Sequence, residues 1–566
     1  MKQQNKLIGL PRGSYFSRAL TLFLSFVIAA CSLSGSITGG IGSAALTEVT
    51  PRTPIDMSFL SLTPGVPNNS TQPVVKLTGL APGNIVTVYR DSACTVAVTS
   101  SVIALTDTLN VIINPPLPYG SYNFYAESKN LSGKSSGCSL SLLSDVIATV
   151  MKWTAGAKLA NQFPVYGTLG IPSPLNSPGA RNGFAYTKDQ AGNFWLFGGS
   201  GYDSLGSAGA LNDLWKFDGS MWTWVGGSNR ASQTSVYGIK GVASSSNIIS
   251  GRGFSTMWID SHSNVWVFGG LDSFSRNDLW KFDGTNWTWI AGTNLTNQVG
   301  VYGTLGVSAP GNYPGTRYAT ASWIDMSDNL YVFAGQYWNS WLDNASDIWK
   351  FDGTNWVWIG GPNNSNQNGN YGTKGVAAAS NSPGGRRYLI SCTDASHRLW
   401  VLGGNGYGAT GGLGKLNDLW RYDGSNWTWL SGSMLTAQAG VYGTLGVPDV
   451  ANVPGGHSAG ACVVDSKNNF WLIAGNAYDS AGTFATNNAI WKFDGTQWTW
   501  IRGSNLVNSP GIYKTKGLPD TTAMLSARGS LGAWIDSSDK IWIFGGSGID
   551  SAGTSGSLSD LIEFDF

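Results

Sequence analysis

The stretch that decides the fold reads FWLFGG (194–199), LNDLWKFDG (211–219) and WTW (222–224). Its first element ends in a Gly-Gly pair, its second leads into an Asp-Gly turn, and its third is a short tryptophan strand. The unit recurs every 65 to 71 residues, and the position of Phe197 is taken in turn by Phe268, Phe333, Leu402, Ile473 and Phe544. Six ordered copies of one unit indicate a repeat architecture with one sheet per copy.

The last copy is incomplete. It ends in LIEFDF (561–566), which corresponds to the strand before the Asp-Gly turn, and no tryptophan strand follows it. The missing strand stands in front of the first copy, where Trp153 precedes Trp224 by one repeat length of 71 residues. We therefore expect residues 150–154 to pair beside the last strand, which closes the repeats into a ring without open sheet edges.

These residues resemble the kelch family, whose repeat has an apolar strand ending in Gly-Gly, an Asn-Asp-Leu element before a Tyr-Asp or Phe-Asp turn, and a closing tryptophan strand. The match covers about three quarters of the chain. The resemblance implies an all-β fold in which residues 150–566 form a six-bladed kelch-type β-propeller, in the structural group of the central domain of galactose oxidase.

Composition agrees with an all-β protein that has no affinity for nucleic acid. The chain has 566 residues, of which 76 are Gly and 26 are Trp, and no long stretch shows the apolar period of a helix. Only 12% of the residues are charged and the net charge is +1, so the basic surface that a phosphate backbone requires is missing.

The N-terminus has the features of an export signal. Residues 1–30 combine four basic side chains with an apolar run that is too short to span a bilayer, and the run ends in IAAC (28–31). This ending resembles the lipobox of bacterial lipoproteins, which implies lipidation of Cys31; an ordinary signal peptide with an incidental cysteine is the alternative. Because Ser32 rather than Asp follows, the resemblance implies an outer-membrane lipoprotein on the cell surface or the periplasmic face.

Two further segments precede the repeats. Residues 31–53 are rich in Ser, Gly and Thr, a composition typical of a flexible tether. Residues 54–149 contain short β-branched runs between Gly, Pro and Asn turns, and they resemble bacterial Ig-like modules, which implies a small β-sandwich. Cys94 and Cys138 are expected to form a disulfide in an oxidising compartment, with a pair of buried thiols as the alternative.

Spacing within the repeats separates constant from variable connections. The connection after each tryptophan strand never changes length, since 28 residues separate Trp224 from Arg252 and the same number separates the equivalent pairs. We call these connections the inserts. The connections between the second and third strands vary, because 21, 25 or 27 residues separate the Phe197 and Trp224 positions. Variable loops beside ordered inserts on a rigid scaffold predict a recognition surface, which we call the insert face.

One recurring position on this face suggests a ligand site. Each copy begins its first strand with a cationic or imidazole side chain, namely Arg181, Arg252, Arg317, Arg386, His457 and Arg528. Kelch domains that bind acidic peptides use arginines at this place, so the resemblance implies a ring that binds an acidic peptide or a sugar acid through guanidinium–carboxylate pairs. The alternative is that each arginine binds backbone carbonyls of its own insert.

We expect a binding protein rather than an enzyme, with a protein or glycan outside the cytoplasm as its ligand. The alternative is a carbohydrate-active or oxidase-type enzyme on a galactose oxidase-like propeller. We expect no metal and no cofactor, because the three histidines fall on different faces and most aspartates fall in turns. Cys392 and Cys462 are expected to be small buried hydrophobic residues, with a redox pair or a thioether-linked radical site as the alternative. The protein is expected to be monomeric and to meet the membrane only through its lipid.

Overall fold

The computed structural model describes residues 56–59, 74–113, 117, 120–139, 143–147, 149–337 and 343–566. All described residues belong to one compact unit. The predicted signal peptide, the lipidation site Cys31 and the whole predicted tether, residues 31–53, lie outside the described residues. The described part is all-β, and it contains no helix long and apolar enough to cross a membrane.

Residues 56–147 form two antiparallel sheets that share one apolar core. Their strands are β1 (Asp56–Phe59), β2 (Val74–Thr78), β3 (Ile85–Tyr89), β4 (Val102–Ile103), β5 (Thr108–Ile112), β6 (Gly120–Lys129) and β7 (Leu143–Ile147). One sheet has the order β1-β2-β5 and the other β4-β3-β6-β7. Val75, Val88 and Phe124 of the shared core are fully buried. Cys94 and Cys138 form a disulfide.

The rest of the described chain repeats one strand order. Its first strands are β8 (Val150–Ala155), β9 (Arg181–Asn182), β10 (Ala185–Lys188), β11 (Phe194–Tyr202), β12 (Ala208–Phe217), β13 (Trp222–Gly226), β14 (Thr256–Ile259), β15 (Val265–Phe268), β16 (Leu279–Phe282), β17 (Trp287–Ala291), β18 (Arg317–Tyr318), β19 (Ala321–Ile324), β20 (Leu330–Phe333), β21 (Gln336–Tyr337), β22 (Ile348–Phe351) and β23 (Trp356–Gly360). They continue as β24 (Arg386–Arg387), β25 (Ile390–Thr393), β26 (Leu399–Tyr407), β27 (Leu413–Tyr422), β28 (Trp427–Ser431), β29 (His457–Ser458), β30 (Ala461–Val464), β31 (Phe470–Tyr478), β32 (Phe484–Phe493), β33 (Trp498–Arg502), β34 (Pro519–Asp520), β35 (Arg528–Gly529), β36 (Gly532–Ile535), β37 (Ile541–Phe544), β38 (Ser547–Ile549), β39 (Ser555–Ser557) and β40 (Leu561–Asp565).

These strands build six antiparallel four-stranded units, which we call sheets 1 to 6. Their orders are β10-β11-β12-β13, β14-β15-β16-β17, β19-β20-β22-β23, β25-β26-β27-β28, β30-β31-β32-β33 and β36-β37-β40-β8. Sheet 6 contains both ends of the repeat segment, residues 150–566. Trp153 of β8 lies opposite Ile562 of β40, and Met151 lies opposite Phe564. This is the pairing that the sequence predicts.

Apolar side chains fill the spaces between neighbouring sheets. Phe197 and Leu214 of sheet 1 pack with Val267 and Trp280 of sheet 2 in one buried cluster. Sheet 6 packs against sheet 1 in the same manner, since Trp534, Phe544 and Phe194 belong to one cluster. Successive side chains of a strand point to opposite faces, so short apolar runs such as VWVF (265–268) and IWIF (541–544) supply both faces of a sheet.

A closed ring of six backbone hydrogen bonds joins the first strands. Two residues before each first strand, the chain takes a positive φ of 53° to 61° at Gly183, Phe254, Ala319, Tyr388, Ala459 and Ser530. The N–H of each residue donates to the carbonyl of its equivalent in the preceding sheet, and Gly183 completes the ring by donating to Ser530 at 3.0 Å. Five of the six are not glycine, so the tertiary structure imposes a conformation that a side chain disfavours.

The inserts cover the outer edge of every sheet. The N–H of Gly170 donates to the carbonyl of Trp224 at 2.8 Å, and the equivalent glycine of each other insert makes the same bond at 2.7 to 2.8 Å. An uncovered edge strand would present unpaired N–H and C=O groups to other chains. The constant length of the inserts therefore has a structural cause, since each one reaches the outermost strand and returns to the first strand.

Candidate functional site

The predicted arginine ring lies inside the sheets rather than on the surface. All six side chains are fully buried. Each arginine forms an ion pair with an equally buried aspartate of the third strand or the segment just before it, and the pairs are Arg181–Asp213, Arg252–Asp278, Arg317–Asp347, Arg386–Asp418 and Arg528–Asp560, with N–O distances of 2.7 to 2.8 Å. We call each pair, together with the insert tyrosine that binds the same aspartate, a clamp.

The clamp of sheet 2 illustrates the geometry. Arg252 donates from Nη1 to Asp278 Oδ1 at 2.7 Å and from Nη2 to Asp278 Oδ2 at 3.1 Å. Its Nη1 and Nε also donate to the carbonyls of Gly269 and Ser250. The hydroxyl of Tyr237 donates to Asp278 at 2.8 Å. Burial raises the pKa of Asp278, but the charge and hydrogen bonds of Arg252 outweigh it and hold that pKa below its usual range.

This arrangement corrects the ligand-binding interpretation of the ring. A guanidinium that is fully buried and already paired with a buried aspartate is not accessible to an acidic ligand. The alternative, in which the arginines bind carbonyls of their own inserts, accounts for one contact of each arginine but not for the aspartate pairs. Sequence reasoning missed the aspartate partners, although one signal was present: the copy with His457 in place of Arg also has Ala489 in place of the aspartate.

Sheet 5 has different residues at the clamp positions and therefore different hydrogen bonds. His457 Nδ1 donates to the carbonyl of Gly455 at 2.6 Å, and its Nε2 has no hydrogen-bond partner among the residues that the structure describes. Asn487 Nδ2 donates at 3.1 Å to the hydroxyl of Tyr442, the tyrosine that would otherwise bind the aspartate. Arginine and aspartate are thus absent together, which leaves no unpaired charge at these two positions of sheet 5.

We expect His457 to make the protein sensitive to mild acid. Burial lowers its pKa from 6.5 to about 4. The unfolded chain therefore binds this proton more readily, and the free energy of unfolding should fall by about 2 kcal/mol from pH 7 to pH 5 because of this group. Denaturant titrations at both pH values measure the loss. His457→Gln, which cannot titrate, should lose less, and an equal loss in both proteins would contradict the assignment.

Cys392 and Cys462 are bonded to each other, not held as separate hydrophobic residues as the sequence suggested. Their disulfide joins β25 of sheet 4 to β30 of sheet 5, with a Cα–Cα distance of 5.7 Å. The cross-link lies beside the one sheet that lacks a clamp. Both cysteines occupy neighbouring first strands, but the sequence alone does not give the lateral distance between two strands 70 residues apart.

The loops between second and third strands are fixed to the inserts. Asp203 accepts a hydrogen bond from the backbone N–H of Ala231, an insert residue, and further bonds from its own turn. Asp479 and Asp550 make the equivalent contacts with Val507 and Ala160. These carboxylates therefore have backbone partners that order the loops, and each loop presents a different side chain beside a constant insert.

A cavity of about 670 Å³ lies between the first strands of the six sheets. The hydrogen-bonded ring bounds it at one end, where the rings of Phe254 and Tyr388 touch with centroids 5.3 Å apart. At the other end it reaches the turns between first and second strands, which carry Asp325, Asp394 and His397. The first strands have a strand partner on one side only, so the backbone groups of their other edge are not paired with a strand.

The remaining histidines do not join His457 in a common site. His262 and His397 lie in turns between first and second strands, where His397 Nδ1 donates to the carbonyl of Ile324. Within the part of the chain that the structure describes, no group of three or more His, Cys, Asp or Glu side chains is placed to hold a metal ion.

Comparison with known proteins adds little to this geometry. No family model matches the sequence, and no curated protein matches it. Among solved structures, a chain titled "Structure of YjhT" is similar, with 13% sequence identity, coverage of 68% of this chain and 95% of that chain, and a TM-score of 0.39. The functional conclusion therefore depends on the residues of this chain.

Proposed function

We propose that this chain is an exported, lipid-anchored binding protein whose insert face recognises a protein or glycan outside the cytoplasm. In this proposal residues 1–30 are a lipoprotein signal peptide, Cys31 carries the lipid, and residues 31–53 are a tether. Residues 54–149 form an Ig-like β-sandwich and residues 150–566 a six-bladed kelch-type propeller. The protein acts as a monomer in the outer membrane, on the cell surface or the periplasmic face, and contacts the membrane only through its lipid.

The propeller assignment is supported by three features of sheets 1 to 6. Each sheet has four antiparallel strands in chain order, apart from the strand that β8 supplies to sheet 6. The first strands contact one another in cyclic order, and β36 of sheet 6 contacts β10 of sheet 1. The ring of backbone hydrogen bonds has the same cyclic order. A closed ring of twisted sheets is the geometry of a propeller.

The binding assignment depends on one observation, the apolar side chains that the ordered loops expose on the insert face. Leu205 in the loop of sheet 1 is 70% exposed, Phe274 in the loop of sheet 2 is 52% exposed, and Phe484 at the start of β32 is 37% exposed. Exposed apolar groups on a rigid framework mark interaction surfaces, because their burial by a partner is favourable and costs little ordering entropy.

Loop variants test this assignment. We expect the triple variant Leu205→Ser, Phe274→Ser, Phe484→Ser to reduce binding of the purified full-length protein to its ligands on glycan and peptide arrays by at least about tenfold, since three buried side chains contribute more than 1.4 kcal/mol. Met326→Ser is the control, because Met326 is 87% exposed in a turn between first and second strands. Unchanged binding by the triple variant, or its loss in the control, would contradict the proposed face.

A further inference from the structure

Two consecutive arginines of β24 have opposite environments. Arg386 is fully buried and paired with Asp418. Arg387 is partly exposed, and its Nε and Nη1 atoms are buried without a hydrogen-bond partner in the described part of the chain. Successive side chains of a strand point to opposite sides, which explains the contrast. Buried donors of a charged group are unfavourable unless a partner satisfies them, so Arg387 has the binding capacity that the clamp arginines lack.

A second cation stands beside Arg387. Lys415 of β27 lies next to Asn405 in the sheet, and Asn405 lies opposite Arg387. Burial lowers the pKa of Lys415, and the charge of Arg387 lowers it further. Among the described residues, neither cation forms an ion pair with a carboxylate. The two like charges repel each other, and an anion between them would relieve that repulsion.

Neutral polar and aromatic groups complete this part of the insert face. The Tyr318 hydroxyl donates to the side-chain oxygen of Gln336. The rings of Tyr318 and Tyr388 lie with their centroids 6.1 Å apart, next to the hydrogen-bonded ring. Hydroxyl and amide groups bind ligand hydroxyls, whereas the aromatic rings offer a flat apolar surface.

We propose that Arg387 and Lys415 bind the carboxylate of a small hydroxylated acid, with Tyr318 and Gln336 beside its hydroxyl groups. The planar, charged guanidinium of Arg387 suits a planar carboxylate, which accepts hydrogen bonds from its N–H groups. This inference depends on the proposed function, because it names the ligand chemistry of the same face. The proposal assigns acid binding to Arg387, which is adjacent to Arg386 in sheet 4, rather than to the buried clamp arginines.

Calorimetric titration of the full-length protein with glucuronate, glucose and acetate tests the site. We expect glucuronate to bind, and glucose and acetate to bind at least tenfold more weakly, because each lacks one of the two recognised groups. Arg387→Met should weaken glucuronate binding at least tenfold, and Lys415→Met should weaken it less. Arg230→Met is the matched control, since Arg230 is an exposed arginine of an insert, and it should bind as the wild type does.

Thermal unfolding of the same variants separates loss of the site from loss of the fold. Arg387→Met should melt at the wild-type temperature, because its buried donors have no partner to lose. Equal affinity for glucuronate and glucose, no glucuronate binding at millimolar concentration, or unchanged affinity in Arg387→Met would each overturn the carboxylate site. An uncharged ligand whose binding requires Leu205, Phe274 and Phe484 would overturn this site and leave the proposed function standing.

Discussion

Replacing Asp278 with alanine is expected to lower the free energy of unfolding by about 3–5 kcal/mol. The substitution leaves the buried guanidinium of Arg252 without a counter-charge, and it removes the acceptor that Tyr237 and Trp280 use. The attraction between the two charges offsets their desolvation only while both are present. Denaturant unfolding monitored by tryptophan fluorescence measures the loss.

Two matched variants isolate the cause. Asp283→Ala removes an exposed aspartate that caps a turn of the same sheet, and it should cost only about 1 kcal/mol. Removing both charges with Arg252→Met and Asp278→Leu should recover most of the lost stability, since apolar groups of similar size fill the space without desolvated charge. A loss in Asp278→Ala no larger than that in Asp283→Ala would show that the ion pair does not hold the sheet.

In sheet 5, which lacks a clamp, an introduced arginine should destabilise the protein unless an aspartate is introduced with it. His457→Arg alone is expected to lower the free energy of unfolding by about 3–5 kcal/mol, because the new guanidinium is fully buried and Ala489 offers no carboxylate. Combined with Ala489→Asp and Asn487→Leu, the same arginine should regain most of that stability, since the three residues then match sheets 1, 4 and 6 at these positions.

A double-mutant cycle measures the coupling. The interaction energy between His457→Arg and Ala489→Asp, determined by denaturant unfolding in the Asn487→Leu background, should favour the pair by about 3 kcal/mol. Additive effects of the two substitutions would mean that the clamp geometry of the other five sheets cannot form in sheet 5. Trp491 lies two residues after Ala489 and is fully buried, so its fluorescence depends on whether the core around the new pair stays ordered.

The strand order was predictable because its signals are local. Alternating apolar residues, Gly-Gly ends and Asp-Gly turns at each copy define strands and hairpins without reference to distant residues. The pairing of β8 with β40 followed from counting strands, since a closed set of repeats must supply the strand that its last copy lacks. The constant insert length also predicted an ordered segment, although not its position along the outermost strand.

The candidate site was less predictable, since its chemistry depends on partners that approach through space. The sequence placed an arginine at the start of five of the six first strands. It did not show that each arginine is buried and pairs with an aspartate 26 to 32 residues later. Cys392 and Cys462 were predicted to be buried, yet only the spacing of neighbouring strands brought their sulfur atoms together.

The sequence by itself determined the number of repeats, the all-β class and the strand that completes the last sheet, because strand formation and turn chemistry depend on neighbouring residues. Only the tertiary structure decided which charges are satisfied. Arg386 and Arg387 are identical and adjacent, but the pleat of β24 directs one side chain to Asp418 and leaves Nε and Nη1 of the other without a partner among the described residues. Burial and pairing are properties of the assembled sheets, and they separate a structural arginine from one available to a ligand.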